Sequence, residues 1–295
     1  MITFLDSDYY FGVDGYPITV WRENIDSPNS RPNYTEIEHY HNFWEIVVIT
    51  SGNGKHLFES KLFPVSTGDV FLIQERQRHC FYELHDLELI NVLYNPKLLG
   101  LPEIQLRKLP GYTAMFMLEP QNRKHHHFSS KLHLKRLELA HSIQIIEKIE
   151  TACTEKSDGW EVTSLTALQE LIIYLSKMYI STYSTDAASL IRVANVIALL
   201  EKEYLNPLSL NDMIEIANMS KGNFIRIFKN ATHQTPNEYL IGVRLQHAID
   251  LLCNTNLSIK EIAYQVGFSD NNYFSRLFRN KINTTPQSYR LKNKK

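Results

Sequence analysis

The run HYHNFWE, residues 39–45, sets His39, His41 and Glu45 at a spacing that could hold an ion. Histidines two apart on a strand share a face, so both imidazoles can reach one ion, and a carboxylate nearby adds an oxygen donor. A second histidine-rich run, RKHHH (123–127), has no fourth ligand close in sequence and reads as a solvated loop. The three cysteines, Cys80, Cys153 and Cys253, form no C-x-x-C unit, which argues against a disulfide framework or a zinc knuckle. The chemistry therefore rests on the histidines and Glu45, and the question is what holds them.

At 295 residues, two domains are expected. The net charge of −1 is unevenly divided: residues 186–295 carry 14 Lys and Arg against 9 Asp and Glu, leaving 17 against 23 in the rest. A basic C-terminal third joined to an acidic body points to a polyanion as partner of the basic part. The start, MITFLDSDYYFG, lacks a basic then apolar leader, and no apolar run is long enough to span a bilayer. A cytoplasmic protein without membrane contact is expected.

Residues 1–100 read as short strands, ITVW, EIVVIT, KHLFE, DVFLI and ELINVLY, punctuated by Gly, Pro, Asn and Asp about every ten residues. That spacing suits an antiparallel barrel or sandwich. Two amphipathic helices follow, the first with Leu132, Leu139, Ile143, Ile146 and Ile149 on one stripe, the second in EVTSLTALQELIIYLSKMYI. They either pack on the barrel or pair between subunits. The polar segment 183–189 is the expected linker, between a domain over 1–182 and a helical domain over 190–295.

The helical part is internally duplicated. FKNATHQTPNEY (228–239) lies over FRNKINTTPQSY (278–289), and Met219-Ser220 lies over Phe268-Ser269. Each copy has a short helix, a turn at Asn218-Met219 or Gly267-Phe268, a Ser cap and a basic second helix. Two helix-turn-helix units are the reading, with the second helix of each in a major groove of double-stranded DNA. Phe224 and Phe228 are expected to face the first core, leaving Lys221, Gly222, Asn223, Arg226 and Lys229 outside. In the second copy Tyr273, Leu277 and Phe274 are expected inside, with Asn271, Asn272, Ser275, Arg276 and Arg279 outside. Arg and Asn suit base edges, whereas Lys229 and Arg279 at the far ends suit phosphates.

Together, LNDMIEIANMSKGNFIRIFKNATHQTPNEYL and IKEIAYQVGFSDNNYFSRLFRNKINTTPQSYR resemble the DNA-binding domain of the AraC family of bacterial transcription regulators. The resemblance covers about 100 residues and implies seven helices with two recognition helices. By that resemblance, base contacts fall on Arg226, Asp270, Asn271, Asn272, Ser275 and Arg276, and Glu261 matches a position that touches the sigma subunit of RNA polymerase. Gly222 departs from the family, since relatives often carry a large base-reading side chain there; Ile214 replaces a small residue, usually Ala. The first unit is therefore expected to read less sequence than the second, acting more through shape.

The spacing H-x-H-x3-E-x6-G from His39 to Gly52 resembles the first motif of cupin barrels, and the resemblance implies a second motif from Gly68-Asp69 to a further histidine, His79. Where metal cupins have a Pro-x-Gly turn, this chain has Gln74-Glu75-Arg76. Among barrels joined to AraC-type domains it is most similar to those of the rhamnose regulators, sharing the first motif and the downstream NVLY (91–94). Three uses of His39, His41, Glu45 and His79 stay open: an effector pocket, a structural remnant, or the metal site of an enzyme carrying a DNA-binding tail. The reading adopted is an effector pocket completed by Trp21 and Arg22, with no metal or cofactor and no catalysis. A saccharide suits such a lining, because rings stack on aromatics and hydroxyls pair with carboxylate and imidazole. The chain is expected to be a homodimeric activator of carbohydrate-utilisation genes, with a cupin-like barrel and helical dimerisation segment followed by an all-α DNA-binding domain.

Overall fold

The computed structural model describes residues 2–12, 14–24, 37–123, 131–181 and 188–293. Contacts divide the chain into two compact units, Met1–Ile191 and Arg192–Lys295.

The first unit is built on one eight-stranded sheet: β1 (Thr3–Leu5), β2 (Ile18–Asn24), β3 (His39–His41), β4 (Trp44–Phe58), β5 (Lys61–Ser66), β6 (Asp69–Ile73), β7 (His79–Tyr94) and β8 (Leu132–His133). All pairings are antiparallel except β1 with β3. The segments EIVVIT and KHLFE are one strand, β4, interrupted around Gly52-Asn53-Gly54, where its register to β7 shifts. Gly52 takes φ +72°, and a Cβ there would lie 2.1 Å from the Asp86 carbonyl oxygen, so this bend requires glycine. Glu83 and Asp86 on β7 also take positive φ. On either side of the bends the long strands change neighbours, β4 passing from β6 to β5 and β7 from β3 to β2. The sheet thus folds over on itself, and Val47, Ile49, Phe58, Phe71, Phe81 and Leu89, drawn from both halves, meet in one buried cluster. The expected strand-rich, cupin-like domain is present.

Helices α1 (Ser7–Tyr10), α2 (Pro96–Leu99), α3 (Glu103–Arg107), α4 (Pro110–Tyr112) and α5 (Glu119–Arg123) are short, and a π-helical stretch, Thr113–Leu118, joins the last two. The stripe expected to begin at Leu132 begins later. Leu132 lies in β8, and α6 runs Arg136–Glu155 with Leu139, Ile145, Ile146 and Ile149 buried. Its partner α7 (Trp160–Ser181) packs against it. Arg123 corrects the reading of RKHHH as a wholly solvated loop: it is fully buried, ion-paired with Glu119 and bonded to the Leu72 carbonyl. Residues 124–127 of that run lie outside those described, as does most of the expected linker, 182–187. Its last two residues, Ala188 and Ser189, open α8 (Ala188–Lys202).

The second unit contains α9 (Leu210–Ala217), α10 (Lys221–Thr232), α11 (Pro236–Asn254), α12 (Ile259–Gln265), α13 (Asn271–Ile282) and α14 (Pro286–Asn293). With α8 these make the seven helices the family resemblance implied. Capping boxes start α9 at Ser209–Asp212, α11 at Thr235–Glu238 and α12 at Ser258–Glu261. The duplication extends to contact geometry. Phe224–Phe228 and Phe274–Phe278 pack at 5.6 and 5.8 Å, and Phe228–Tyr239 and Phe278–Tyr289 at 5.7 and 5.8 Å. Both second helices end on a left-handed residue, His233 and Asn283.

Candidate functional site

In the first unit, β3, β4 and β7 bring the histidines and Glu45 together. His39 and His41 are both buried on β3, and His39 pairs in register with His79. Glu45 shares a strand face with Val47 and Ile49 and so points into the folded sheet. His41 Nε2 lies 3.1 Å and His79 Nε2 3.4 Å from Glu45 Oε2. The turn Gln74–Gln77 replaces a glycine turn by placing Arg76 in the left-handed region at φ 64°, and the Arg76 N–H bonds the His41 carbonyl at 2.8 Å. Charged residues therefore do the geometric work of Pro-x-Gly here.

These groups line one cleft, together with Leu5, Phe81 and Leu93. Trp21, Phe43 and Tyr10 form its aromatic side, with Tyr10 5.0 Å from Trp21 and 5.4 Å from Phe43. His41 stacks on Phe43 at 4.1 Å. Glu23 and Asn91 add polar groups that the sequence reading missed. Their strands pair with Trp21 opposite Asn91, so a period-two reading from Trp21 reaches Glu23, but Asn91 depends on a non-local pairing. Arg22 is a correction. Adjacent strand residues point to opposite faces, so Trp21 and Arg22 cannot both face the cleft. Arg22 instead forks onto Glu150 of α6, at 2.7 Å from Nη2.

Burial is the largest influence on the charges. It would raise the Glu45 carboxyl, but hydrogen bonds from His41 and His79 and their nearby charge more than reverse this and hold it well below the usual carboxylate range. Burial, then the Glu45 charge, push Glu23 up to about 7. Burial, then His79, push His39 down to about 3. His56, fully buried between Phe71 and Phe81 at 4.7 and 4.8 Å, is likewise pushed well below its ordinary value by burial, which makes it a core histidine. Among the described residues, one group of donor atoms is close enough to hold a metal: His41, Glu45 and His79, all within 4.8 Å of one another.

In the second unit, α9 and α12 each end in a sharp turn, at Asn218 with φ 46° and Gly267 with φ +87°. A Cβ at Gly267 would meet Arg244 and the Leu205 carbonyl near 3.0 Å, so this turn is tight as well as left-handed. On α10, Phe224, Ile227 and Phe228 are buried, while Lys221, Gly222, Arg226 and Lys229 are exposed and Asn223 is half-buried. Asn223 and Arg226 are joined by a 2.8 Å hydrogen bond. On α13 the buried residues are Phe274 and Phe278, as the 50-residue repeat requires. Tyr273, expected inside, is 42% exposed, and Arg276 lies over its ring at 5.6 Å. Asn272, Arg276 and Arg279 are exposed, with Asn271 and Ser275 half-buried. Ser220 stands at the cap position of α10 without a side-chain bond, and in the second copy the cap is Asp270, not Ser269, its carboxylate accepting from the Asn272 and Tyr273 N–H groups. Glu261 is exposed but accepts the Ser258 N–H at 2.7 Å, and bonds from the Ser258 hydroxyl and N–H hold its carboxyl below the ordinary value.

Two families match the chain: residues 29–129 as an AraC-like ligand binding domain and residues 213–292 as a helix-turn-helix domain. The HTH-type transcriptional activator RhaR of Yersinia pseudotuberculosis serotype O:3 (strain YPIII) is 30% identical over 270 residues, covering 89% of this chain and 87% of that protein. RhaR of Mannheimia succiniciproducens is 29% identical over 283 residues, covering 95% and 94%. A crystal structure of a regulator with an AraC-type DNA-binding domain from Chromobacterium violaceum is 32% identical over 36% of this chain and 96% of that one, with a TM-score of 0.34. The chain belongs to the AraC family of transcription regulators. It is a DNA-binding regulator related to the RhaR and RhaS activators, not an enzyme, and its partners are DNA and a small-molecule effector. No helix of the described residues is long and apolar enough to cross a membrane.

Proposed function

We propose that the chain activates carbohydrate-utilisation genes when a saccharide, of which rhamnose is the leading candidate, binds the cleft between β2, β3, β4 and β7. The observation that carries this reading is Asn91. It is 8% exposed, it lines the cleft, and its Oδ1 has no hydrogen-bond partner among the described residues. Leaving such an atom unpaired costs about 1–3 kcal/mol, which a ligand hydroxyl donating to it recovers. Glu23 and Glu45 supply acceptors for further hydroxyls, and Trp21 offers an apolar ring for a sugar face. The names of the RhaR and RhaS relatives, transcriptional activators, support activation, and rhamnose rests on the resemblance of the barrel's first motif and NVLY run to those of the rhamnose regulators.

The DNA contacts fall on Lys221, Asn223, Arg226 and Lys229 of the first unit and on Asp270, Asn271, Asn272, Ser275, Arg276 and Arg279 of the second. Each protomer covers two groove segments about 34 Å apart. The chain works as a cytoplasmic homodimer through α6 and α7, a pairing supported by Leu137 and Val162, which are 83% and 70% exposed. Glu261 is the contact to the polymerase sigma subunit. Selection of bound duplexes from a random library, repeated with and without each sugar, tests the reading. A two-segment site whose affinity changes with one sugar is expected; a single segment, or affinity indifferent to every sugar, would overturn it.

A further inference from the structure

The duplication of the helical unit sets one arginine at the same point of each second helix, Arg226 on α10 and Arg276 on α13, and gives the two different supports. Sliding the first copy by 50 residues lays Asn223 on Tyr273 and Arg226 on Arg276. Residues three apart share a helix face, and a long side chain leans toward the helix N-terminus, so each arginine reaches back over the earlier residue. In α10 that residue is Asn223, whose side-chain oxygen accepts from Arg226 Nη2 at 2.8 Å. In α13 it is Tyr273, and the Arg276 guanidinium carbon lies 5.6 Å from the ring centroid.

These supports leave different donors available. An amide oxygen engages the edge of the guanidinium fork, the part that pairs with guanine O6 and N7. An aromatic ring attracts the cation through its face and takes no N–H donor. Among the described residues, the Tyr273 ring is what orients the Arg276 guanidinium. That ring is itself fixed: it stands edge-on to Phe268 at 6.2 Å, and Phe268 is 4% exposed in the tight turn after Gly267. Packing does not require an aromatic here. The first unit has Asn223 at this place and keeps the same Phe–Phe and Phe–Tyr distances in its core.

We propose that Tyr273 is a positioning residue for DNA recognition, holding Arg276 over its ring so that the guanidinium edge is presented to a base pair. The role rests on the reading of Arg276 as a base contact. It makes the two units unequal readers. Arg276 meets the duplex with its donors unspent, whereas Arg226 has Nη2 engaged by Asn223 and Gly222 beside it offers no side chain.

The test uses the full chain and the duplex selected from the random library, with single-base-pair variants of that duplex, in anisotropy titrations at one salt concentration. The base pair at which Arg276→Ala relaxes preference most defines where Arg276 reads. Tyr273→Ala should lower preference at that same base pair by about 2–5-fold, the factor that corresponds to about 0.5–1 kcal/mol for an exposed cation–π contact. Its affinity for random-sequence duplex should stay unchanged, and Tyr273→Phe, which keeps the ring, should keep the preference. In Arg276→Ala protein, adding Tyr273→Ala should change nothing further at that base pair. Preference untouched by Tyr273→Ala, a loss shared by Tyr273→Phe, or an undiminished effect without Arg276 would overturn the proposal. So would an affinity loss spread evenly over all duplexes, the mark of a merely structural role. Arg276→Ala with every preference intact would instead remove the base-reading assignment, and the positioning role with it.

Discussion

Removing one partner of the Glu119–Arg123 pair should damage the sheet-bearing unit more than removing both. The two side chains are 3% and 0% exposed and form an ion pair at 2.5 Å. Glu119→Gln leaves a guanidinium buried without its counter-charge, which typically costs 3–5 kcal/mol. Arg123 keeps its 2.8 Å bond to the Leu72 carbonyl and its place 4.6 Å over the Phe58 ring, so the lower end, about 3 kcal/mol, is expected. For a unit of this size that is a fall of about 6–12 °C in Tm. Glu119→Leu with Arg123→Met removes both charges while keeping volume, and should cost less than Glu119→Gln alone. Trp21, Trp44 and Trp160 all lie in the N-terminal unit, so tryptophan fluorescence in a urea titration of the full chain follows that unit selectively. A single variant within 0.5 kcal/mol of wild type, or a double variant worse than the single, would refute the argument from buried charge.

A carboxyl moved from 4.5 to about 7 binds its proton more tightly folded than unfolded, so Glu23 should make the fold less stable as pH rises through that window. Allowing for its partial exposure, Glu23→Gln should gain about 2 kcal/mol on wild type between pH 4 and pH 8, measured in chelator so that no ion alters the site; a pH-independent difference would remove Glu23 from the cleft's electrostatics. Arg276→Ala should cost about 1–3 kcal/mol on the selected site and relax base preference nearby, and unchanged preference would exclude base reading by Arg276. Lys229→Ala should weaken all sequences alike and lower the salt slope by about 1. An effect confined to the selected site would overturn its phosphate role.

The helical unit was legible because its signals are local. Caps such as Ser258–Glu261 and turns such as Asn218 and Gly267 are set by residues three or four apart. Even there, reading α13 by itself put Tyr273 inside, whereas sliding the first copy by 50 places Phe224 on Phe274 and gives the observed core. The cleft was half legible. His39, His41 and Glu45 announce themselves by parity on adjacent strands, but Glu23 and Asn91 join them only through the β2–β7 pairing across nearly 70 residues. Trp21 with Arg22 was a parity error that alternation alone corrects. The segment 96–123 escaped because Pro96, Pro102 and Pro110 break it into short helices and a π-helical stretch disturbs the 3.6-residue period. β5 escaped because Pro64 argues against a strand; it pairs with β4 alone, an edge position that tolerates proline.

The central claim, that the β2–β3–β4–β7 cleft senses an effector, is tested most directly by melting the full chain against a panel of aldoses and deoxysugars, with wild type beside Asn91→Ala. A sugar present at 100 times its dissociation constant should stabilise the N-terminal unit by about 2.7 kcal/mol, and Asn91→Ala should lose most of that shift at the same concentration. No shift with any sugar, or one that Asn91→Ala leaves intact, would contradict the account.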